Sequence, residues 1–239
     1  MVAAQEPDTA RSWRPVIIPY LTNITQATAP FLTTFVLVHL AAPVMANVGG
    51  SSMSSQVMLL GREYYQTSFG ERYLLLTPLI AHIGSATLKR IISPRPPRAW
   101  TSSLTITGYT LAFLALPMHF LTHRWIPADP SPPIHAFGPA ELDYEFVKFG
   151  LSMLPLRSWV GYGLLATFAV THLVEGVSIL QRTNGMKGIT RRARRTVAAA
   201  VLLPVLSGIV VLAREPLLVF GPLAERYRAV YDHVPPFKL

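Results

Sequence analysis

The chain has 239 residues, of which 51% are hydrophobic and 14% charged, with a mean hydropathy of +0.37 and a net charge of +9. Soluble domains carry roughly 25% charged residues, so this composition excludes an ordinary soluble core and points to one integral membrane domain. The absence of cysteine excludes disulfides, iron–sulfur ligation and covalent haem attachment.

Residues 1–25 form an N-terminal polar segment. Glu6 and Asp8 precede Arg11 and Arg14, and no apolar run follows Met1, so the pattern fits neither a secretory signal nor a cleavable transit peptide. Residues 26–213 form a transmembrane domain with five predicted spans, about 26–48, 72–91, 102–122, 158–180 and 196–213. Pro43, Pro78, Pro117 and Pro204 fall inside spans, where membrane helices tolerate proline. Two Tyr-containing loops, "SSQVMLLGREYYQ" after span one and "GPAELDYEFVKFG" before span four, are amphipathic and are expected to lie on the membrane interface. Residues 214–239 form an amphipathic C-terminal tail. The fold class is therefore an all-α, five-span membrane bundle. Spans one and two loosely repeat as spans three and four.

The charges sort by side. The side holding the N-terminus and the loops 89–101 and 181–195 carries 12 Lys/Arg against 2 acids, and the opposite side carries 9 against 9. This asymmetry predicts a cytosolic N-terminus. It also accounts for the basic balance without a nucleic-acid partner. The block "RRARR", Arg191–Arg195, is read as a topogenic patch facing the lipid bilayer.

Four of the five spans hold one histidine each: His39, His82, His119 and His172. His123, His135 and His233 are placed outside the spans. Histidine is rare within the hydrocarbon and tends to mark function. At ~1.5 Å per residue, His39 and His119 lie about 20 and 26 Å in from the N-terminal side, and His82 and His172 about 15 and 21 Å from the other. The four therefore sort by depth into the pairs His39/His119 and His82/His172. Two imidazoles facing each other across a bundle are what a bis-histidine haem b requires, so two haems, one per leaflet, are predicted. Small residues near the ligands (Gly84, Ser85, Ala86, Gly176, Ser178) give room. Lys89, Arg90 and Arg182 are candidate propionate contacts on the N-terminal side, with Arg72 and Arg124 on the other. Glu175 lies one helical turn beyond His172, able to hold an imidazole nitrogen, pair with a buried cation or reach water. Interhelical hydrogen bonds are the alternative use of the histidines. A compact zinc or copper site, or a proton relay, is the third. No catalytic residues are identified, and a non-enzymatic role is expected.

Two resemblances carry further expectations. Histidines in the first four of five spans resemble the cytochrome b membrane anchor of succinate dehydrogenases and fumarate reductases, which implies a haem-bearing electron-transfer subunit. The stretch "LLGREYYQTSFGERYLLLTPLIAHIGSATLKR" (59–90), followed by a short basic turn, resembles the transmembrane domain of the fungal mitochondrial adaptor MCP family. That likeness covers roughly residues 26–213. It implies the mitochondrial outer membrane, lipid homeostasis and recruitment of a cytosolic lipid-transfer protein. The yeast adaptor recruits its partner through a Pro-x-Pro motif in the N-terminal segment. Residues 1–25 hold no such motif, and the nearest substitute is Pro94 and Pro96 in "IISPRPP". A helix stop and tight loop is the alternative reading of those prolines.

Overall fold

The computed structural model describes residues 13–94, 98–235 and 237–238, and among them there is no strand. The helices are α1 (Arg14–Tyr65), α2 (Thr77–Ile92), α3 (Ser103–Ala128), α4 (Tyr144–Met153), α5 (Pro155–Thr183), α6 (Arg191–Arg214) and α7 (Gly221–Asp232). Four of these, α1, α3, α5 and α6, are long and apolar enough to cross a membrane. The expected second span is built differently. A seven-residue π segment, Gly70–Leu76, runs into the 16-residue α2, so its regular α-helical part is shorter than the ~20 residues of a full crossing.

Helix α1 begins at Arg14, well before the expected boundary, and takes in half of the segment expected to be polar. Pro15 in its first turn has no amide hydrogen to leave unsatisfied, which favours a start there. The helix breaks at Gly49 and Gly50, and Gly50 adopts φ +62°. Residues 51–65 then fold back along α1. Tyr65 meets Phe35 edge-on at 5.1 Å, and a Cβ at Gly61 would lie 3.3 Å from Val38. The loop expected on the interface after span one is thus a helical return stroke, and Tyr65 is buried within the protein.

The π segments follow a rule. Gly70–Leu76, Leu111–Ala115 and Leu121–Trp125 each end two residues before a proline: Pro78, Pro117 and Pro127. Proline lacks the amide for the bond to residue i−4, and its ring collides with that carbonyl. Widening the preceding turn to i→i+5 bonding moves the carbonyl aside. Helix α3 therefore alternates α, π, α and π turns before a short 3₁₀ end, and it extends to Ala128 rather than stopping near 122.

The second Tyr-containing segment packs against the C-terminal tail. Helix α4 buries Phe146 and Phe149 against Tyr227, Val230 and Tyr231 of α7. Their aromatic rings pack at close range, Phe146 stacking on Tyr231 at 4.7 Å. Both segments are amphipathic, and the apolar face of each packs on the other. Arg62 clamps this cap to α1 by donating to the carbonyls of Pro139 (2.6 Å) and Leu142 (2.7 Å). Arg226 bonds Glu141 at 2.6 Å. Lys148, 3% exposed, lies 2.5 Å from Glu145 and 3.3 Å from Glu215. Glu215 in turn accepts the Ser51 amide at 3.0 Å, capping the return stroke just past its glycine break.

In the bundle, α6 crosses α1 at Gly208, where a Cβ would fall 1.8 Å from the Pro43 carbonyl oxygen. Asn47 bridges the same crossing by donating to the carbonyls of Val44 and Pro204, each at 2.8 Å. Gly208→Ala is expected to destabilise the protein by about 1–3 kcal/mol, the cost of forcing packed backbones apart. Thermal unfolding of the detergent-solubilised variant checks this.

Candidate functional site

The residues that form the histidine pairs come from four different helices, α1 with α3 and α2 with α5. The structure brings both pairs together. His82 and His172 stand with ring centroids 6.3 Å apart at 81°, and His39 and His119 5.8 Å apart at 82°. Among the described residues, no hydrogen bond joins the two rings within either pair. Metal–imidazole bonds are about 2.0–2.1 Å long, so His82 and His172, 6.3 Å apart, would be near enough to hold one iron between them. The His39/His119 pair is 0.5 Å tighter than the other (6.3 against 5.8 Å).

The outer nitrogens are held by hydroxyls. Thr28 spends its proton on the Ile24 carbonyl (2.8 Å), so its oxygen must accept from His82 Nδ1 at 3.1 Å. Thr107 likewise donates to the Ser103 carbonyl (2.8 Å) and faces His172 Nδ1 at 3.5 Å. These contacts favour a proton on Nδ1 of each ring, which leaves Nε2 as the nitrogen able to ligate a metal. His39 Nδ1 meets the Tyr65 hydroxyl at 3.3 Å. The alternative use, interhelical hydrogen bonding, is thus also visible, but it engages the outer nitrogens only.

A cavity of about 360 Å³ opens among α1, α2, α3 and α5, with His82 and His172 on its wall. Its lining is largely apolar, and Lys89, Arg90 and Arg98 close one end. Arg90 stacks over Trp100 at 3.5 Å and donates through Nη1 to the Arg98 carbonyl at 3.3 Å. Its Nε and Nη2 are buried with no hydrogen-bond partner among the described residues. A buried guanidinium with unused donors costs free energy unless an anion meets it. Ala86 and Gly176 line the cavity, as expected of small residues near the ligands, while Gly84 faces outward. Gly108 was not anticipated. A Cβ there would lie 2.8 Å from His172 Cε1. Gly108→Ala is expected to push the His172 ring and lower occupancy of this site while sparing the His39/His119 site, which resolved haem spectra of the two sites would report.

Other candidates separate. Arg182 lies against Gly188 and does not line the cavity. Arg124 is committed to Glu71 through two bonds of 2.6 and 2.8 Å. Arg72 is exposed on the π segment. Glu175 pairs with Arg194 at 3.0 Å rather than with a histidine. Pro94 follows directly after α2, and Pro96 lies outside the described residues.

His123, placed outside the spans by its position, instead sits in α3, because that helix runs on to Ala128. Its ring lies 4.5 Å from His119, and its Nε2 meets the Tyr162 hydroxyl at 3.2 Å. The pair nearer the cap therefore has a third imidazole beside it. Among the described residues, no cluster of three His, Cys, Asp or Glu has the arrangement of a small-metal site. Compared with known protein families, curated proteins and solved structures, the chain matches none of them.

Proposed function

We propose that the chain is a membrane haem protein that holds two b-type haems, one between His82 and His172 and one between His39 and His119. The observation that carries this reading is the His82/His172 pair. Its rings stand 6.3 Å apart, a threonine oxygen meets Nδ1 of each, and they line a cavity whose far end offers unused guanidinium donors. Bound there, haem would supply a one-electron couple. The protein's own residues would fix the imidazoles, present Arg90, Lys89 and Arg98 to the propionates, and exclude water with an apolar wall. On this reading residues 70–92 make a fifth crossing, the π segment supplying the length that α2 lacks.

The wider role follows from resemblance. Likeness of residues 59–90 to the adaptor family supports a place at the mitochondrial outer membrane, lipid homeostasis and recruitment of a lipid-transfer protein, and the excess of basic residues on the N-terminal side supports an N-terminus in the cytosol. The second reading is the electron-transfer anchor of succinate dehydrogenase type. It is favoured by His123, a third imidazole 4.5 Å from His119 beside the His39/His119 pair.

The test is a reduced-minus-oxidised absorption spectrum of the protein purified in mild detergent, with the haem-to-protein ratio. A b-type spectrum with about two haems per chain is expected. A featureless spectrum from folded protein supplied with haem would end the proposal.

A further inference from the structure

A second cavity, of about 300 Å³, lies between α3, α5 and α6. It has no part in the histidine sites. Arg191, Arg194, Arg195 and Ala198 line it from α6, at helical spacings of three, four and seven, so one face of that helix forms a wall. Thr171, Val174 and Glu175 form the facing wall from α5, and Ser103 closes the third side from the start of α3.

We propose that this cavity seats the phosphate headgroup of an anionic phospholipid. Three guanidiniums face one carboxylate, so the pocket keeps a surplus of positive charge. Glu175 takes Arg194 Nε at 3.0 Å, and Arg194 Nη1 donates to the Ile189 carbonyl at 3.0 Å. Those bonds fix the Arg194 plane and leave its remaining edge toward the cavity. Arg191 and Arg195 form no ion pair among the described residues. Guanidinium forks match phosphate oxygens in pairs. The hydroxyls of Ser103 and Thr171 add donors of the right reach. Helix α6 is 24 residues long and begins at Arg191, so its positive dipole end lies at the same end of the helix as the cavity.

The position of the cavity decides between a lipid and a free anion. Its lining comes from the first turns of α3 and α6 and the last part of α5, at one end of three helices long and apolar enough to cross a membrane. A phosphate seated there as a headgroup keeps its acyl chains beside the apolar helices, which a soluble phosphate does not need. Basic pockets between membrane helices bind anionic headgroups in this manner.

The experiment uses the full chain in mild detergent, equilibrated with equal amounts of phosphatidic acid and phosphatidylcholine, and counts retained lipids by native mass spectrometry. One phosphatidic acid per chain is expected above the phosphatidylcholine background. Arg191→Gln with Arg195→Gln should weaken its retention on the order of 30-fold, as loss of two cations at a membrane surface implies. Arg192→Gln, outside the cavity, should weaken retention less than either Arg191→Gln or Arg195→Gln alone. Each single variant provides the same reading should the double one fail to fold. Three results would overturn the proposal: equal retention by the arginine variants, equal retention of the two lipids, or binding of inorganic phosphate with the same arginine dependence and no lipid retained. Haem content is read on the same samples, so failure of the histidine sites and failure of this one are distinguishable.

Discussion

His82→Ala is expected to lower the haem content from about two per chain to about one, and His39→Ala to do the same for the other site. The two changes together should leave none. Each substitution removes one axial nitrogen and leaves the other ring alone, His172 in one case and His119 in the other. The Thr28 oxygen that oriented His82 then faces an empty space. The two sites share helices α1 and α3 but no ligand, so the losses should add. Haem content is measured by pyridine haemochrome and protein by amino-acid analysis. His82→Gln and His172→Gln sharpen the reading, since glutamine can keep a hydrogen bond to threonine without serving as a strong axial ligand. If the Gln variants keep both the fold and the haem ratio of the parent, the histidines are packing residues and the haem sites lie elsewhere. If the parent carries no haem and all four Gln changes leave the fold intact, the bundle is a haem-free scaffold.

Lys148→Ala should destabilise the protein by about 3–5 kcal/mol, the usual cost of breaking a buried ion pair from one side. A loss of that size corresponds to a fall in Tm on the order of 10 °C for a chain of this length. The physical cause is local. Lys148 is 3% exposed and bridges Glu145 and Glu215, and Glu145 also accepts the Leu218 amide at 3.0 Å. Without the ammonium, two carboxylates face each other under the aromatic cap with no cation between them. Lys148→Met together with Glu145→Gln should cost much less, because the unpaired charge goes with its partner. Acid should act in the same direction. Burial alone would raise the Glu215 carboxyl, but the bonds from Ser51 and attraction to Lys148 outweigh it and hold it below the ordinary value. Its contribution is complete above the unfolded-state range near about 4.3 and is lost as pH falls through the lowered folded value. Thermal unfolding followed by circular dichroism at neutral and acid pH checks both statements. A Lys148→Ala variant as stable as the parent would sink the role assigned to the triad.

The histidine pairs were legible in the sequence because helical rise is nearly constant. Counting residues from each span end put His39 and His119 toward one side and His82 and His172 toward the other, which was enough to sort them into pairs. Counting did not find Thr28, because a span starting at residue 26 puts it about 3 Å from the end, whereas α1 begins at Arg14 and carries Thr28 deeper. What counting could not find was direction. Gly49 and Gly50 read as the end of a span, yet the chain stays helical and doubles back, because a residue at φ +62° reverses it without an intervening loop. Amphipathicity of the segments around Tyr144 and Tyr227 was legible, but an apolar face does not say whether lipid or another helix will cover it. Arg98 and Arg182 show the same limit. Both are basic residues at span ends on the same side, and only the fold turns one into the cavity and the other onto Gly188.

The proline-driven π turns have a mechanical consequence. His82 and His119 each lie just past such a turn, on α2 and α3, while His172 sits on an α-helical stretch with no internal proline, and His39 lies four residues before Pro43. The His82/His172 pair thus joins a continuous helix to an interrupted one, and the tolerance of that gap is set by the stretch of backbone before Pro78.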